Sequence, residues 1–295
     1  NRPFITVNAT VGGGPSVPLL VDTGSPGVRI FADKVGANGV VASQTPVDVT
    51  FADGTRFAGV EASAPVTFGG LETKGPINVQ LITAVSCADG KPDCAGSVGI
   101  AKFTQTQAFS GILGIGMQAF DIYSPISQLQ GGSPRSFSIA ANSSVGSATM
   151  TFNTQPPAPQ AAFRIPQWTD PQLANGYPAW ASNQVQACWA YRGQSTSCVP
   201  TAFDTGSPTL FTDGSVPGAP KSTGPVPPGT PLSLSAEAGG PSIWSLTAGS
   251  TPGKNTVQVA PLEGGTSVNS GISIFRSRLV TFDLQNGNIF VSQAD

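Results

Sequence analysis

The chain has 295 residues, with 14 Lys and Arg against 16 Asp and Glu, a formal charge of −2. That near-balance argues against nucleic acid or an anionic membrane as the main partner, since both need a basic face, while 39 % hydrophobic residues suffice for a sizeable core. Histidine is absent, which removes Ser-His-Asp and Cys-His catalysis and any His-ligated metal.

Along the chain, short apolar and β-branched stretches at 4–7, 18–21, 47–51, 77–82, 147–152, 256–259 and 279–284 alternate with turn residues. This is the pattern of an all-β protein. Asp53-Gly54 separates two such stretches and predicts a tight hairpin whose central residues both tolerate positive φ. Helical spacing is faint, and its best instance is 125–130, with Ile126 and Leu129 three apart. No run of about 18 apolar residues exists, so no transmembrane segment is expected. The proline-rich 155–160 reads as a linker between lobes at 1–154 and 161–295, because proline cannot donate within a central strand. A second Pro/Gly-rich stretch, 214–231, reads as a surface insertion.

Four cysteines fall in two local pairs, Cys87 with Cys94 and Cys188 with Cys198. The spacing predicts two small disulfide loops formed in an oxidising compartment, the alternative being four reduced, buried thiols. It does not match the clustered cysteines of a zinc site.

The pentapeptide Asp-Thr-Gly-Ser-Pro occurs twice, at 22–26 and 204–208, once in each half and each time after an apolar stretch. Such a repeat implies two similar lobes. Two carboxylates brought together share one proton, so one acts as general base on a water and the other as general acid toward a carbonyl. Asp22 and Asp204 are the candidate catalytic pair. Gly24 and Gly206 let backbone amides approach them, Thr23 and Thr205 offer hydroxyls, and Ser25 and Ser207 are expected to bond the carboxylates. Each pentapeptide alone also reads as a turn.

With these motifs the sequence resembles the pepsin-like aspartic proteases. Residues 111–116, Gly-Ile-Leu-Gly-Ile-Gly, look like the element that threads behind the first catalytic loop in that family. Residues 269–275 look like the second, with Ser270 in place of an apolar residue, and 278–291 resemble the closing hairpin. The composition is also similar to the aspartic-protease domains at the C-terminal end of some mycobacterial PE-PGRS surface proteins. The resemblance implies a bilobal pepsin-like double-ψ barrel fold and an aspartic endopeptidase acting on polypeptides, secreted or at the cell surface, monomeric, without cofactor or metal. It further implies a flap at 49–57 carrying Phe51, Asp53 and Gly54, and apolar substrate pockets at Phe103, Phe109 and Ile112. Two departures stand out: Phe51 replaces the flap tyrosine, and Arg29, read as a cation at a strand end, replaces that tyrosine's tryptophan partner. A pepsin-fold binding module without catalysis is the alternative.

Overall fold

The computed structural model describes residues 4–120, 122–142, 147–250 and 255–294. Its contacts group into two compact units, one spanning 6–133 with 173–175, the other holding 134–172 and 176–295 together with the segment before Thr6. Strands dominate both.

The N-terminal unit is one nine-stranded sheet. Its strands are β1 (Thr6–Val11), β2 (Val17–Asp22), β3 (Pro26–Phe31), β4 (Val41–Thr50), β5 (Thr55–Ala64), β6 (Val66–Phe68), β7 (Leu71–Glu72), β8 (Ile77–Cys87) and β9 (Gly111–Ile115). Spatially they run β4-β5-β8-β3-β9-β2-β1-β6-β7. Every residue of β3 and β9 is buried, which is why β9 reads as a continuous apolar run rather than an alternating one, while β3 does so except at Arg29.

The ordering has one consequence for the site. Strands β2 and β3 are consecutive in sequence, yet β9 lies between them, parallel to β2 and antiparallel to β3. The 22–26 loop therefore arches over the end of β9. The approach demands glycine: a Cβ at Gly114 would stand 2.6 Å from the Ser25 carbonyl oxygen and 2.7 Å from that of Gly27. The Gly-x-x-Gly of β9 is thus a steric requirement of the loop it supports.

The C-terminal unit repeats the device. Ser197–Ala202 leads into the second loop and Leu210–Thr212 leaves it, while Val268–Asn269 inserts between them, parallel to the first and antiparallel to the second. Gly271, with φ +57°, packs against the loop backbone, and a Cβ there would lie 2.6 Å from the Thr209 carbonyl oxygen. These strands belong to an eight-stranded sheet. A separate five-stranded sheet orders Ser147–Phe152, Ser136–Asn142, Arg278–Asp283, Asn288–Gln293 and Ala161–Arg164. The hairpin expected at 278–291 is present, and the side of Gly287 lies flat against the Trp180 ring.

Several expectations change. The boundary falls at 133/134, because Ser136–Asn142 pairs with the C-terminal Arg278–Asp283; the proline-rich 155–160 therefore lies inside one unit. The stretch at 125–130 forms only a 3₁₀ turn, Pro125–Gln128. The α-helix among the described residues is α1 (Ile100–Gln107), which buries Phe103 alone and so shows no helical periodicity. The 214–231 stretch lies largely at the surface, as expected, but is anchored by the buried Val216 and Val226 and by a short strand at 224–225.

The threading of β9 makes Gly114 a sensitive probe. Gly114→Ala pushes a methyl into loop backbone, and overpacking of this kind costs about 1–3 kcal/mol. Urea unfolding should show that loss in the midpoint.

Candidate active site

Asp22 closes β2 and is buried, 5 % exposed. A buried carboxylate needs donors, and the loop supplies them. The Gly24 amide donates to Asp22 Oδ1 at 2.7 Å, and the Ser25 hydroxyl donates to Oδ2 in a short hydrogen bond. The loop is anchored from β9 onward: the Gly116 amide donates to the Ser25 carbonyl at 3.0 Å, and Gln118 Nε2 to that of Gly24 at 3.3 Å. Thr23 is buried beside them.

Asp204, 7 % exposed, repeats half of this arrangement. The Gly206 amide donates to Asp204 Oδ1 at 2.7 Å, the same contact at the same length as in the first loop. The other oxygen is held differently. Ser207, expected to bond the carboxylate, turns away and donates to the Thr209 carbonyl at 2.6 Å. Its place is taken by Asn269, whose Nδ2 donates to Asp204 Oδ2 at 2.6 Å while its Oδ1 accepts from the Gly271 amide at 2.9 Å. Ser270, which breaks the apolar pattern, has a polar task. Its hydroxyl accepts from the Asp204 amide at 3.2 Å and donates to the Gly271 carbonyl at 2.9 Å. Thr205 is fully buried. Asn269 is the site residue the sequence reading missed; its place next to the anomalous Ser270 was the available signal.

β4 and β5 form a hairpin across the segment where a flap was expected. Its tip is a longer turn than a two-residue one: the Gly54 amide donates to the Phe51 carbonyl and the Phe51 amide to the Thr55 carbonyl, both at 2.8 Å. Gly54 alone takes a positive φ, +91°, while Asp53 receives the Thr55 amide on its carboxylate at 2.9 Å. Phe51 is half-buried and begins an edge-to-face series through Phe57 and Phe103 to Phe109, with centroids 5.2, 5.5 and 5.6 Å apart. Phe103, Phe109 and Ile112 are buried.

Both predicted disulfides are formed, Cys87–Cys94 and Cys188–Cys198. The second joins facing residues of two paired strands. The first closes a loop that grips the hairpin tip. The Ala88 amide donates to the Gly54 carbonyl at 2.8 Å, Lys91 Nζ donates to the Ala52 carbonyl at 2.8 Å, and the Ala95 amide reaches Asp53 Oδ2 at 3.4 Å. The Lys91 stem covers Gly54 so closely that a Cβ there would meet it at 2.6 Å.

Arg29 is no surface cation. It is 6 % exposed, in the middle of β3, and Nη1 donates to Gln80 Oε1 at 2.8 Å. Burial pushes its guanidinium down to about 10, the nearby charge of Asp22 opposing the shift, so it is protonated at neutral and acid pH. Among the described residues, no group of three or more Cys, Asp and Glu is placed to hold a metal ion, and no helix is long and apolar enough to cross a membrane.

Two aspartates, Asp22 at the end of a strand and Asp204 two residues beyond one, each capped by the amide two residues on and each backed by a threaded strand, define an aspartyl peptidase-like domain. A search of solved structures finds the same fold in the aspartic proteinase from Irpex lacteus, with 17 % identity and a TM-score of 0.60 over 100 % of this chain and 96 % of that one. No similar sequence was found among curated proteins. The chain belongs to the family described as the PE-PGRS C-terminal aspartyl peptidase-like domain, which it matches over residues 2–288.

The grip on the hairpin tip has a measurable consequence. Reducing Cys87–Cys94, or replacing both cysteines with serine, should speed amide exchange at Gly54 and Thr55 about tenfold, the scale of one lost hydrogen bond. The strands Arg278–Asp283 and Asn288–Gln293 serve as the unaffected control.

Proposed function

We propose that this domain is an aspartic endopeptidase that hydrolyses peptide bonds with a water activated between Asp22 and Asp204. The repetition carries the reading: two identical pentapeptides place two buried carboxylates, each with one oxygen on a glycine amide at 2.7 Å. Turns in general do not need a buried aspartate, and a domain without catalysis does not need two.

In this reading the two loops meet across a cleft between lobes, and the carboxylates share one proton. One removes a proton from the water as it attacks the scissile carbonyl carbon. The other gives its proton to the carbonyl oxygen, forming a tetrahedral diol, and the proton taken from water then passes to the leaving nitrogen. Thr23 and Thr205 tie the loops together through their hydroxyls. The 49–57 hairpin covers the substrate, with the half-exposed Phe51 against a side chain and Phe103, Phe109 and Ile112 forming the apolar wall behind it. No metal or cofactor takes part. The substrate is an extended polypeptide, and the domain acts as a monomer. Two disulfides and the family support secretion or display at the cell surface.

A second reading, a binding module without turnover, draws on one observation: the tip of the hairpin is clasped by the Cys87–Cys94 loop, and Phe51 has no hydroxyl to make a hydrogen bond. Turnover on a peptide library, with a pepstatin-type inhibitor as control, separates the two.

Asp22→Asn and Asp204→Asn should each lower kcat by about a thousandfold or more, the scale of losing an essential acid–base group, with circular dichroism unchanged. Comparable activity in either variant would exclude the pair as the catalyst. The rate should peak clearly below pH 7 and fall as pH rises, because the proton shared by the pair is lost. Cut sites mapped in a denatured protein mixture should be flanked by Leu, Phe or Met, since burying one such side chain is worth about 1.5–3 kcal/mol.

A further inference from the structure

The N-terminal unit contains one charged side chain whose burial the fold does not require. Arg29 is 6 % exposed, it forms no ion pair within salt-bridge distance among the described residues, and its Nε has no hydrogen-bond partner there. Such a residue is costly in a sheet interior, where an apolar side chain fits without penalty. Costly exceptions to the packing rules gather at functional sites.

Its surroundings indicate which function. Gln80, from the adjacent β8, is wholly buried and spends its amide in three directions. Oε1 accepts from Arg29 Nη1 at 2.8 Å, and Nε2 donates to the Val47 carbonyl at 2.9 Å and to the Phe57 carbonyl at 3.1 Å. Val47 lies on β4 and Phe57 on β5, so one side chain grips both strands of the hairpin from beneath. On the other side, β3 is the continuation of the catalytic loop, and its Gly27 pairs with the same Gly114 that pairs with Asp22.

The other charged groups on the packed strands are committed elsewhere or distant in effect. On β4 and β5, Asp48 accepts from Arg56 Nε at 2.8 Å, and Glu61 is the remaining charge; β8 and β9 carry none. The charged group that acts on Arg29 is Asp22.

We propose that Arg29 and Gln80 are positioning residues that couple the two working parts of this unit, the Asp22 loop and the covering hairpin. The guanidinium, on the strand that continues the Asp22 loop, supplies a fixed positive charge that acts on the Asp22 carboxylate, and the Gln80 amide that it holds ties the hairpin to that strand. The inference rests on the endopeptidase reading for its kinetic consequences, and on the strand pairing, the hydrogen bonds of Gln80 and the charge interaction of Arg29 with Asp22 for the rest.

The test uses Arg29→Met, Arg29→Lys and Gln80→Met, with three readouts: hairpin amide exchange, the ¹³C shift of the Asp22 carboxyl against pH without substrate, and the pH profile of peptide cleavage. Arg29→Met should speed exchange at 47–57 about tenfold relative to 278–293. It should also move both the Asp22 titration and the acid limb of kcat/KM toward neutral pH by about one unit, because an opposite charge favours the carboxylate. Arg29→Lys should leave the titration near its wild-type position and still loosen the hairpin; Gln80→Met should loosen the hairpin and raise KM more than it lowers kcat. A folded Arg29→Met protein with wild-type exchange and titration would overturn the proposal. If Arg29→Met does not fold, Gln80→Met with unchanged hairpin exchange, or Arg29→Lys with a displaced titration, would overturn it. Absence of peptidase activity in the wild type would remove the endopeptidase reading, while exchange and carboxyl titration would still decide this one.

Discussion

The contact between a buried carboxylate and the glycine amide two residues along organises both units. Each aspartate has lost nearly all its water, 5 % exposed in one case and 7 % in the other, and an unsolvated anion is tolerated only where donors already point at it. The chain meets that condition by turning sharply after the strand, which brings the next amides back onto the oxygen at 2.7 Å. A turn that sharp needs backbone beneath it, and the threaded strand provides it at the closest approach glycine permits. Sheet order, glycine placement and the apolar runs on either side all follow from holding one charged group still.

The two units meet the same requirement with different parts. In the first, the second carboxylate oxygen takes the Ser25 hydroxyl from the loop itself. In the second, the serine at the matching position is used within its own turn, and Asn269 on the threaded strand takes over. The exchange explains Ser270 as well, since an asparagine committed to the carboxylate leaves the Asp204 amide to be met by a neighbour. Donors that come from one loop in the first unit come from two segments in the second. The first unit adds a buried cation, and the second has no counterpart to it among the residues that bond its carboxylate.

Much of the fold was legible because its signals are local. Six-residue apolar runs, glycine pairs and a repeated pentapeptide each state their own structure, and strands such as Ser147–Phe152 fell where the pattern placed them. The disulfides were legible from spacing. What remained hidden depends on partners far away in sequence. The helix Ile100–Gln107 buries a single side chain, so no period marks it. Arg29 looked exposed because arginine usually is, and only the pairing of β3 with β8, some fifty residues on, supplies the glutamine that receives it. Ser207 and Ser25 are identical in sequence context over five residues, and their different uses are decided by what the threaded strand presents.

The division into two cores has a consequence for how the molecule melts. Each unit buries its own set of large side chains, so the chain need not lose its structure in one cooperative step, and a single midpoint need not describe it. The common optical probe would hide this. All four tryptophans, Trp168, Trp180, Trp189 and Trp244, belong to the C-terminal unit, where Trp189 and Trp244 meet edge to face with centroids 6.2 Å apart. Intrinsic fluorescence excited at the indole band therefore follows one half of the molecule and is blind to the other. Heat capacity, which weighs all newly wetted apolar surface alike, records both.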